Sequence, residues 1–426
     1  MSNNLLLKNA STYFGANVIN GLIPFILLPI LTRYLTVEAY GQVAIFQTLY
    51  WAVSAFVGIT IAGASDRKFF EISAEKDLGD FIGACVQICL FLTITTIGFF
   101  IIFNSQFSDL TGAASEYIFY AIIVAASLSI IQIRLGQWQI RGKAKVFGFY
   151  QILQSSLIVI LSVLLIVFYS FDEIGRIFSQ VLICAIFALI SILLLKRDKL
   201  LNFFTWNPQY IKESLQFAIP LIPHVGGVFL ISMADRFFIA GELGVAQAGI
   251  YMLAAQLATI VSLVHESINR AFLPWLFEKL TLNKLEDKKM IVRFTYLWFA
   301  IILLSAPMLF FIGPSIVVLI AGPEYSEAGN VFGWLALGHS FGGMYAMLNC
   351  YIYFSKKTYS LSIVTLFSGI LNIILLVFFL QIYGLIGAGI AFSISMLVRF
   401  FLTWFLAHYV HPMPWFSFRK QVSSIN

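Results

Sequence analysis

Long apolar stretches recur along the whole chain and are separated by short polar connections. Each stretch lacks the alternation of apolar and polar positions that a membrane-barrel strand shows, so we expect each to form a helix. A helix of about 20 residues crosses the hydrocarbon core of a bilayer, which is about 30 Å thick. The sequence therefore predicts an all-α integral membrane protein with twelve transmembrane helices, at approximately 10–32, 41–63, 80–103, 116–135, 147–169, 174–195, 214–239, 247–268, 291–312, 328–352, 359–381 and 384–408.

The composition also indicates a membrane protein. Hydrophobic residues make up 60% of the 426 residues and charged residues 11%, whereas a soluble domain has about 25% charged residues. The net charge of +6 would fit a nucleic-acid-binding protein, but the apolar bulk argues against that class. The first apolar stretch is longer than the core of a signal peptide, so we interpret it as a retained helix. Four cysteines lie in apolar stretches without the spacing of a metal site, and we expect small buried side chains, no metal and no cofactor: Cys85, Cys89, Cys184 and Cys350.

The basic residues indicate an orientation. Of the 26 Lys and Arg residues, 22 lie near the ends of the chain or in alternate connections, while the other connections hold Arg33, Arg176 and Arg236. Cytoplasmic loops of membrane proteins carry an excess of Lys and Arg, so both termini are predicted to be cytoplasmic. The connections on the opposite side are short, which leaves no room for an external catalytic domain.

The two halves of the chain resemble each other weakly. Residues 141–168 and 355–379 each combine a short basic turn, an aromatic residue and a long apolar stretch, and Gly175 and Gly387 open the last predicted helix of their halves. Six helices followed by six preserve the orientation, so the halves would be parallel repeats. We predict two parallel six-helix bundles, at residues 1–200 and 201–426.

Prolines occur at matching places in the first predicted helix of each half. Pro24 and Pro29 lie in the first half, and Pro220 and Pro223 in the second. Proline removes a backbone hydrogen bond and bends a helix, and interrupted helices at matching positions of two repeats indicate the central site of a transporter. These four residues are candidate hinges. The alternative is that they kink packed helices, which membrane helices tolerate.

Three segments carry a resemblance to a known family: GLIPFILLPILTRYLTVEAYGQVAIFQTL (21–49), IPLIPHVGGVFLISMADRF (219–237) and AGIYMLAAQLATI (248–260). Over essentially its whole length the chain resembles the MATE-like polysaccharide-exporting flippases of the multidrug/oligosaccharidyl-lipid/polysaccharide superfamily. It looks most like a bacterial flippase for O-antigen or a related oligosaccharide. The resemblance implies that a polyprenyl-pyrophosphate-linked oligosaccharide is moved from the inner to the outer leaflet of the bacterial cytoplasmic membrane by alternating access, with an ion gradient as the driving force.

The pyrophosphate of such a substrate would need cations, and arginine offers bidentate geometry. The candidates lie within or at the ends of the predicted helices: Arg33, Arg67, Arg134, Arg236, Arg270 and Arg399. Anchoring at the cytoplasmic surface is the alternative for Arg67, Arg134 and Arg270. A structural pair with a nearby acid, such as Glu38 or Asp235, is the alternative for the two arginines on the outer side. Arg399 needs protein groups, lipid headgroups or water around its charge.

Coupling of export to protons or sodium would require titratable groups. His224, Asp235 and Glu266 are the candidates, and a histidine can change charge near neutral pH. The alternative for His224 is an ordinary hydrogen-bonded side chain.

Other functions remain open from the sequence. A multidrug or metabolite antiporter of the same superfamily would share the fold but use a more acidic cavity, and a membrane glycosyl polymerase would need a larger external loop. Flipping of a peptidoglycan precursor or a teichoic-acid-like lipid would change the cargo and keep the mechanism. The chain lacks the G-x-x-x-x-G-K-[ST] motif of a nucleotide-driven pump. We expect a monomeric transporter and not an enzyme. Its expected partners are a lipid-linked oligosaccharide, membrane lipids and H+ or Na+, with a polysaccharide polymerase as a further candidate and no nucleic acid.

Overall fold

Helices build the whole described part of the chain. The computed structural model describes residues 3–58, 60–71, 75–111, 114–282, 284–355, 357 and 359–415, and no strand occurs in these ranges. The helices are α1 (Asn3–Tyr34), α2 (Val37–Val57), α3 (Ile61–Phe69), α4 (Glu75–Thr111), α5 (Ser115–Ile140), α6 (Ala144–Val163), α7 (Asp172–Arg197), α8 (Pro208–Ala218), α9 (Ile222–Ser232), α10 (Asp235–Leu243), α11 (Val245–Leu282), α12 (Leu285–Ala321), α13 (Ser326–Phe354), α14 (Tyr359–Tyr383) and α15 (Leu385–Val410). A π-helical turn, Leu164–Phe168, continues α6, and 3₁₀ segments cover Ile219–Leu221 and Pro323–Tyr325.

The described residues contain 10 helical segments long and apolar enough to cross a membrane, or up to 11 if the bent pair α2 and α3 is one span. The predicted helix 328–352 corresponds to α13, which is long enough but falls outside this set. Its glycines and polar residues lower its hydropathy, and a helix can carry them because many of its side chains are buried within the protein. The chain is a multi-pass integral membrane protein. A total of twelve spans and the cytoplasmic termini stay predictions, and the side chains of Lys8, Lys356, Arg419 and Lys420 lie outside the described residues.

The seventh predicted helix, 214–239, has different limits in the structure. The apolar span covers Pro208–Ser232, and α10 begins after a turn, at Asp235. The earlier start is explained by Asn207, whose side chain accepts hydrogen bonds from the backbone of the first turn of α8, and by Pro208 in the first turn. An acidic residue in a first turn is favoured by the helix dipole, which fits the new start at Asp235.

The prolines have different consequences in the two halves. Pro24 and Pro29 lie inside α1, which continues through both. Pro220 lies in the 3₁₀ segment between α8 and α9, and Pro223 follows in the first turn of α9. A first-turn proline costs little because its missing N–H would be unpaired in any case. The proline-containing helix is thus continuous in the first half of the chain, as α1, and interrupted in the second half, between α8 and α9. The hinge role of the four prolines stays a prediction.

The chain divides into two compact units. Unit 1 contains Met1–Phe229 and Arg236–Gly249, and unit 2 contains Leu230–Asp235 and Ile250–Asn426. In unit 1, α8 packs against α3 and α4, so the segment that follows residue 200 is grouped with the first unit. In unit 2, α13 packs against α12 and α15, and α14 packs against α15. The predicted pair of six-helix bundles, 1–200 and 201–426, stays a prediction.

Two apolar clusters of described residues contribute to the core of unit 1. One apolar cluster joins α3 and α4 to the ends of α5 and α7 and includes Cys85 and Cys89. A second cluster joins α5, α6 and α7 around Trp138 and Tyr150. All four cysteines are buried and form no disulfide, which confirms their interpretation as buried side chains. These two clusters fix α5, α6 and α7, the helices that carry most of the polar interior described next.

Candidate functional site

Arg134, the first of the predicted cations, is held in an ion pair. Its side chain lies at the end of α5 and is 1% exposed. The guanidinium donates to the carboxylate of Asp198, which directly follows α7, and lies 4.3 Å from the ring centroid of Trp138. Burial alone would raise the pKa of Asp198, but the hydrogen bond and charge of Arg134, together with Arg197, hold it below its ordinary value. The pair ties the ends of α5 and α7 together.

A second polar contact ties α5 to α3. Gln137 donates from Nε2 to the backbone oxygen of Ser65 at 3.2 Å and lies 3.5 Å from Asp66 Oδ1. The carboxylate of Asp66 occupies the space in which a Cβ of Gly136 would stand, so a larger residue there would displace this carboxylate. Gln137 in turn accepts a hydrogen bond from Arg141. Gln137 therefore links Arg141 at this end of α5 to the residues of α3.

The predicted arginine Arg67 lies near this region and is exposed. Its Nε donates to Glu71 at 2.8 Å. The neighbouring Lys68 pairs with Glu213 of α8 at 2.6 Å and lies over the ring of Phe81. These pairs explain how α8 is fixed on α3 and α4, and they leave the cations of this surface matched by acids.

In unit 2, the contacts of Arg399 with described residues involve a hydroxyl and an aromatic ring and no acid. It donates to the hydroxyl of Thr365 at 3.1 Å, and its guanidinium carbon lies 3.9 Å from the ring centroid of Tyr345. Cation–π contacts of this kind compensate part of the cost of placing a charge in a membrane helix. This is the protein surrounding that the sequence required for Arg399.

The remaining predicted residues are distributed over both units. Arg270 pairs with Glu266 one turn earlier on α11, and Asp235 accepts a hydrogen bond from Tyr251 within unit 2. Arg33 is exposed at the end of α1, and Arg236 is buried at the start of α10. His224 lies in the first turn of α9 and is partly buried. Of the predicted residues, Arg270 and Glu266 are thus in direct contact.

A polar cavity lies inside unit 1, among α1, α2, α5, α6 and α7, and has a volume of about 260 Å³. Helix α6 contributes Gln151, Gln154 and Ser155, whose spacing of three and four residues places them on one helix face. The polar residues of the described lining carry carboxamides, hydroxyls, an indole and a thiol: Asn20, Tyr50, Trp51, Ser54, Gln132, Gln151, Gln154, Ser155, Gln180 and Cys184.

The hydrogen bonds of this cavity are incomplete. Ser155 donates to Asn20 Oδ1 at 2.6 Å, and Gln154 Nε2 lies 3.6 Å from Cys184 Sγ. Gln151 Oε1 is buried and has no hydrogen-bond partner among the described residues. A buried amide oxygen without a partner is costly, so the cavity retains capacity to bind a polar ligand or water.

Arg176 lies beside the cavity, one turn before Gln180 on α7. Gln180 and Cys184 follow it at intervals of four residues, which places all three on one face of α7, and both line the cavity. Guanidinium atoms Nε and Nη1 are buried and have no hydrogen-bond partner in the described chain. None of the described lining residues is Asp or Glu. The cavity therefore combines neutral hydrogen-bonding groups with one adjacent positive charge.

Polar residues recur in the sequence at positions that line this cavity, but neither the hydropathy of the stretches nor the distribution of basic residues identified them. Carboxamides and hydroxyls recur at helical spacing on α6, and Arg176 and Gln180 lie four residues apart on α7. Arg176 was counted with the basic residues of the outer connections and was not among the candidate cations. Polar residues that repeat along one face of an apolar helix indicate a face that does not contact lipid.

Comparisons with known proteins agree with this architecture. A model of the family described as "Polysaccharide biosynthesis protein" matches residues 6–279, which is more than half of the chain. A relative from Haemophilus influenzae (strain ATCC 51907 / DSM 11121 / KW20 / Rd), "Lsg locus putative protein 1", is 26% identical over 406 residues and is matched over 93% of this chain and 97% of its own length.

Solved structures show the same fold. The lipid II flippase MurJ in an inward closed conformation superposes with a TM-score of 0.75 at 16% identity, covering 92% of this chain and 87% of that chain. An inward-facing multidrug resistance MATE family transporter of the MOP superfamily gives a TM-score of 0.61 at 18% identity, covering 92% and 93%. The MATE-like fold expected from the sequence agrees with these structures. Because the family match extends over most of the chain, the protein belongs to the polysaccharide biosynthesis protein family, and the family resemblance seen in the sequence is confirmed.

Proposed function

We propose that this protein is a flippase that moves a polyprenyl-pyrophosphate-linked oligosaccharide, such as an O-antigen unit, from the inner to the outer leaflet of a bacterial cytoplasmic membrane. The observation that carries the proposal is the cavity of unit 1, which is lined by carboxamides and hydroxyls and holds no described carboxylate. Each carboxamide offers two donors and an acceptor, which suits sugar hydroxyls. The family name and the flippase fold of the MurJ structure support the same substrate class.

Transport through such a cavity addresses a definite physical problem. The lipid tail of the substrate can remain in the bilayer, whereas the sugars and the diphosphate cannot cross about 30 Å of hydrocarbon without polar partners. A cavity inside a membrane-spanning unit can replace hydration water with protein hydrogen bonds. Alternating access would then expose the bound headgroup to each side in turn, with Pro220 and Pro223 as candidate hinges in the interrupted helix.

An ion gradient is the proposed driving force of the transport. Asp235 and Glu266 are the carboxylates proposed for coupling to protons or sodium, with His224 as a third group. Asp235 is buried and accepts from Tyr251, so a change in its protonation would alter a specific hydrogen bond within unit 2. Glu266 is exposed and paired with Arg270 on the same helix.

A multidrug antiporter is the second candidate function, because the MATE transporter shares the fold. Organic cations would be favoured by carboxylates in the cavity, and the described lining has none. The two functions therefore differ in the charge of the cargo that the cavity suits.

Transport by the purified protein in proteoliposomes tests the proposal. A polyprenyl-diphosphate glycan with a fluorophore on its terminal sugar is reconstituted, and a membrane-impermeant reductant reports the fraction exposed on the outer leaflet. We expect active protein to equilibrate this glycan across the membrane, and Gln154→Leu to slow the exchange at least tenfold. Ser129→Ala is the matched control, because Ser129 is buried in α5 but bonds to the backbone of Ala125 and does not line the cavity. Efflux of ethidium with no exchange of the glycan would support the antiporter instead.

A further inference from the structure

We propose that Arg176 and the carboxamides of the unit 1 cavity form a binding site for the anionic group of the transported glycan, either the carboxylate of an acidic sugar or the diphosphate that joins the glycan to its lipid. This inference rests on the proposed function and deepens it, because it assigns a negative charge to the ligand of this cavity. It is carried by the state of Arg176, by the lining of the cavity and by the size of the space.

Two nitrogens of the Arg176 guanidinium have no hydrogen-bond partner among the described residues. Its Nε and Nη1 are buried, and neither donates to any residue that the structure describes. In the same unit, Arg134 donates to Asp198 and lies against Trp138. In unit 2, Arg399 has a hydroxyl and an aromatic ring as partners. Arg176 is thus prepared to accept a ligand rather than to hold two helices together.

Buried guanidinium nitrogens without hydrogen-bond partners are costly, and an oxyanion that accepts hydrogen bonds from them removes that cost. Transfer of an uncompensated charge from water into a low-dielectric region is unfavourable. Bidentate hydrogen bonds from arginine to a carboxylate or a phosphate are among the strongest polar contacts in proteins. A neutral ligand could complete the hydrogen bonds of the carboxamides, but only a negatively charged ligand compensates the positive charge of Arg176.

The cavity beside Arg176 supplies the other groups that such a ligand requires. Gln180 lies one turn further along α7, and Gln151 and Gln154 face the same space from α6. The ring of Tyr50 stacks on Trp51 with centroids 6.1 Å apart, and both line the cavity, so they offer an apolar surface for the face of a sugar ring. A carboxylate in the lining would repel an anion, and none of the described lining residues has one.

The volume limits what is bound. About 260 Å³ lies just below the usual range for small-molecule pockets, roughly 300–1,000 Å³. The cavity therefore suits one sugar residue or one diphosphate and not a whole oligosaccharide. The remaining sugars of the substrate would lie outside this site.

Binding measurements on the full-length protein in nanodiscs test the site. Three probes are compared: a polyprenyl-diphosphate neutral trisaccharide, the same lipid-linked trisaccharide ending in glucuronic acid, and inorganic pyrophosphate. The variants are Arg176→Gln and Arg176→Lys, with Arg197→Gln as the control because Arg197 lies exposed at the other end of the same helix. Thermal unfolding of each variant establishes that it is folded.

If Arg176 binds the carboxylate, Arg176→Gln weakens binding of the acidic glycan at least tenfold and leaves the neutral glycan within twofold. If it binds the diphosphate, the variant weakens both glycans and pyrophosphate to the same degree. In both cases Arg176→Lys retains part of the affinity and Arg197→Gln is unchanged. Equal affinities of wild type and Arg176→Gln for all three probes would overturn the site while leaving flipping by the wild type intact. A wild-type protein that neither binds nor moves any glycan would contradict the proposed function as well.

Discussion

Two arginines of unit 1, Arg134 and Arg176, show opposite ways of keeping a charge inside a membrane protein. Arg134 is paired with Asp198 at the end of α7 and covered by Trp138, so its charge is compensated by the fold. Arg176 lies near the start of the same α7 and has two buried nitrogens without a partner in the described residues. Burial of an arginine therefore does not by itself indicate a function. The state of its partners separates a structural charge from one that can bind a ligand.

The largest effect is expected from breaking the compensated charge. Asp198→Asn leaves the buried guanidinium of Arg134 without its acid and should lower the free energy of unfolding by about 2–4 kcal/mol. Denaturation of the purified protein in mild detergent measures this change. Replacing both partners, as in Arg134→Met with Asp198→Leu, should be less damaging than Asp198→Asn because no unpaired charge remains. An Asp198→Asn protein as stable as wild type would show that the pair does not hold α5 to α7.

The pH dependence of stability tests the same pair. The pKa of Asp198 is lower in the folded protein than in the unfolded chain, so its stabilisation is present above the unfolded pKa of about 3.9 and is lost as the pH falls through the folded pKa. The stability difference between wild type and Asp198→Asn should therefore be full near neutral pH and shrink below about pH 4. A difference that stays constant over this window would contradict an ionised Asp198.

The uncompensated charge should respond in the opposite direction. Arg176→Gln removes a partly buried charge with two nitrogens that lack a partner, so we expect the free energy of unfolding to rise by about 1 kcal/mol and the melting temperature by about 2–4 °C, while affinity for the anionic ligand falls. Thermal unfolding of the ligand-free protein provides the measurement. A clearly destabilised variant would mean that Arg176 has a structural role like that of Arg134.

The smallest effect is expected at the exposed pair of Arg67 and Glu71. Both side chains are substantially exposed, at 66% and 42%, so solvent screens their attraction. Arg67→Gln should change the free energy of unfolding by about 0–1 kcal/mol. The same denaturation experiment measures it, and a loss as large as that of Asp198→Asn would show that exposure is a poor guide to the weight of a charge in this protein.

Local patterns predicted most of the fold. Apolar runs of sufficient length identify helices even in a single sequence, and the predicted stretch at 328–352 is α13 although its hydropathy is low. The boundary near Ser232 was missed because Asp235 begins a helix in a stretch that remains apolar on both sides. The amphipathic α8 was also missed, because its place is set by Lys68 and Glu213, which are far apart in sequence.

The candidate site was less predictable, for a physical reason. A sequence shows that Arg134 and Arg176 are basic, but their different states depend on partners supplied by other helices. Asp198 is 64 residues away from Arg134, and the cavity beside Arg176 is assembled from five helices. Only the spacing of polar residues on α6 and α7 was visible beforehand, and it gives a face rather than a site.

Photo-crosslinking shows directly whether the glycan binds in the unit 1 cavity. A polyprenyl-diphosphate glycan with a diazirine on its first sugar is irradiated with the protein in nanodiscs, and the labelled peptides are identified by mass spectrometry. We expect labelling of residues 151–158 of α6 and 176–184 of α7. Excess unlabelled glycan should suppress this labelling, and Arg176→Gln should reduce it. Saturable labelling confined to other helices, with these two segments unlabelled, would contradict it.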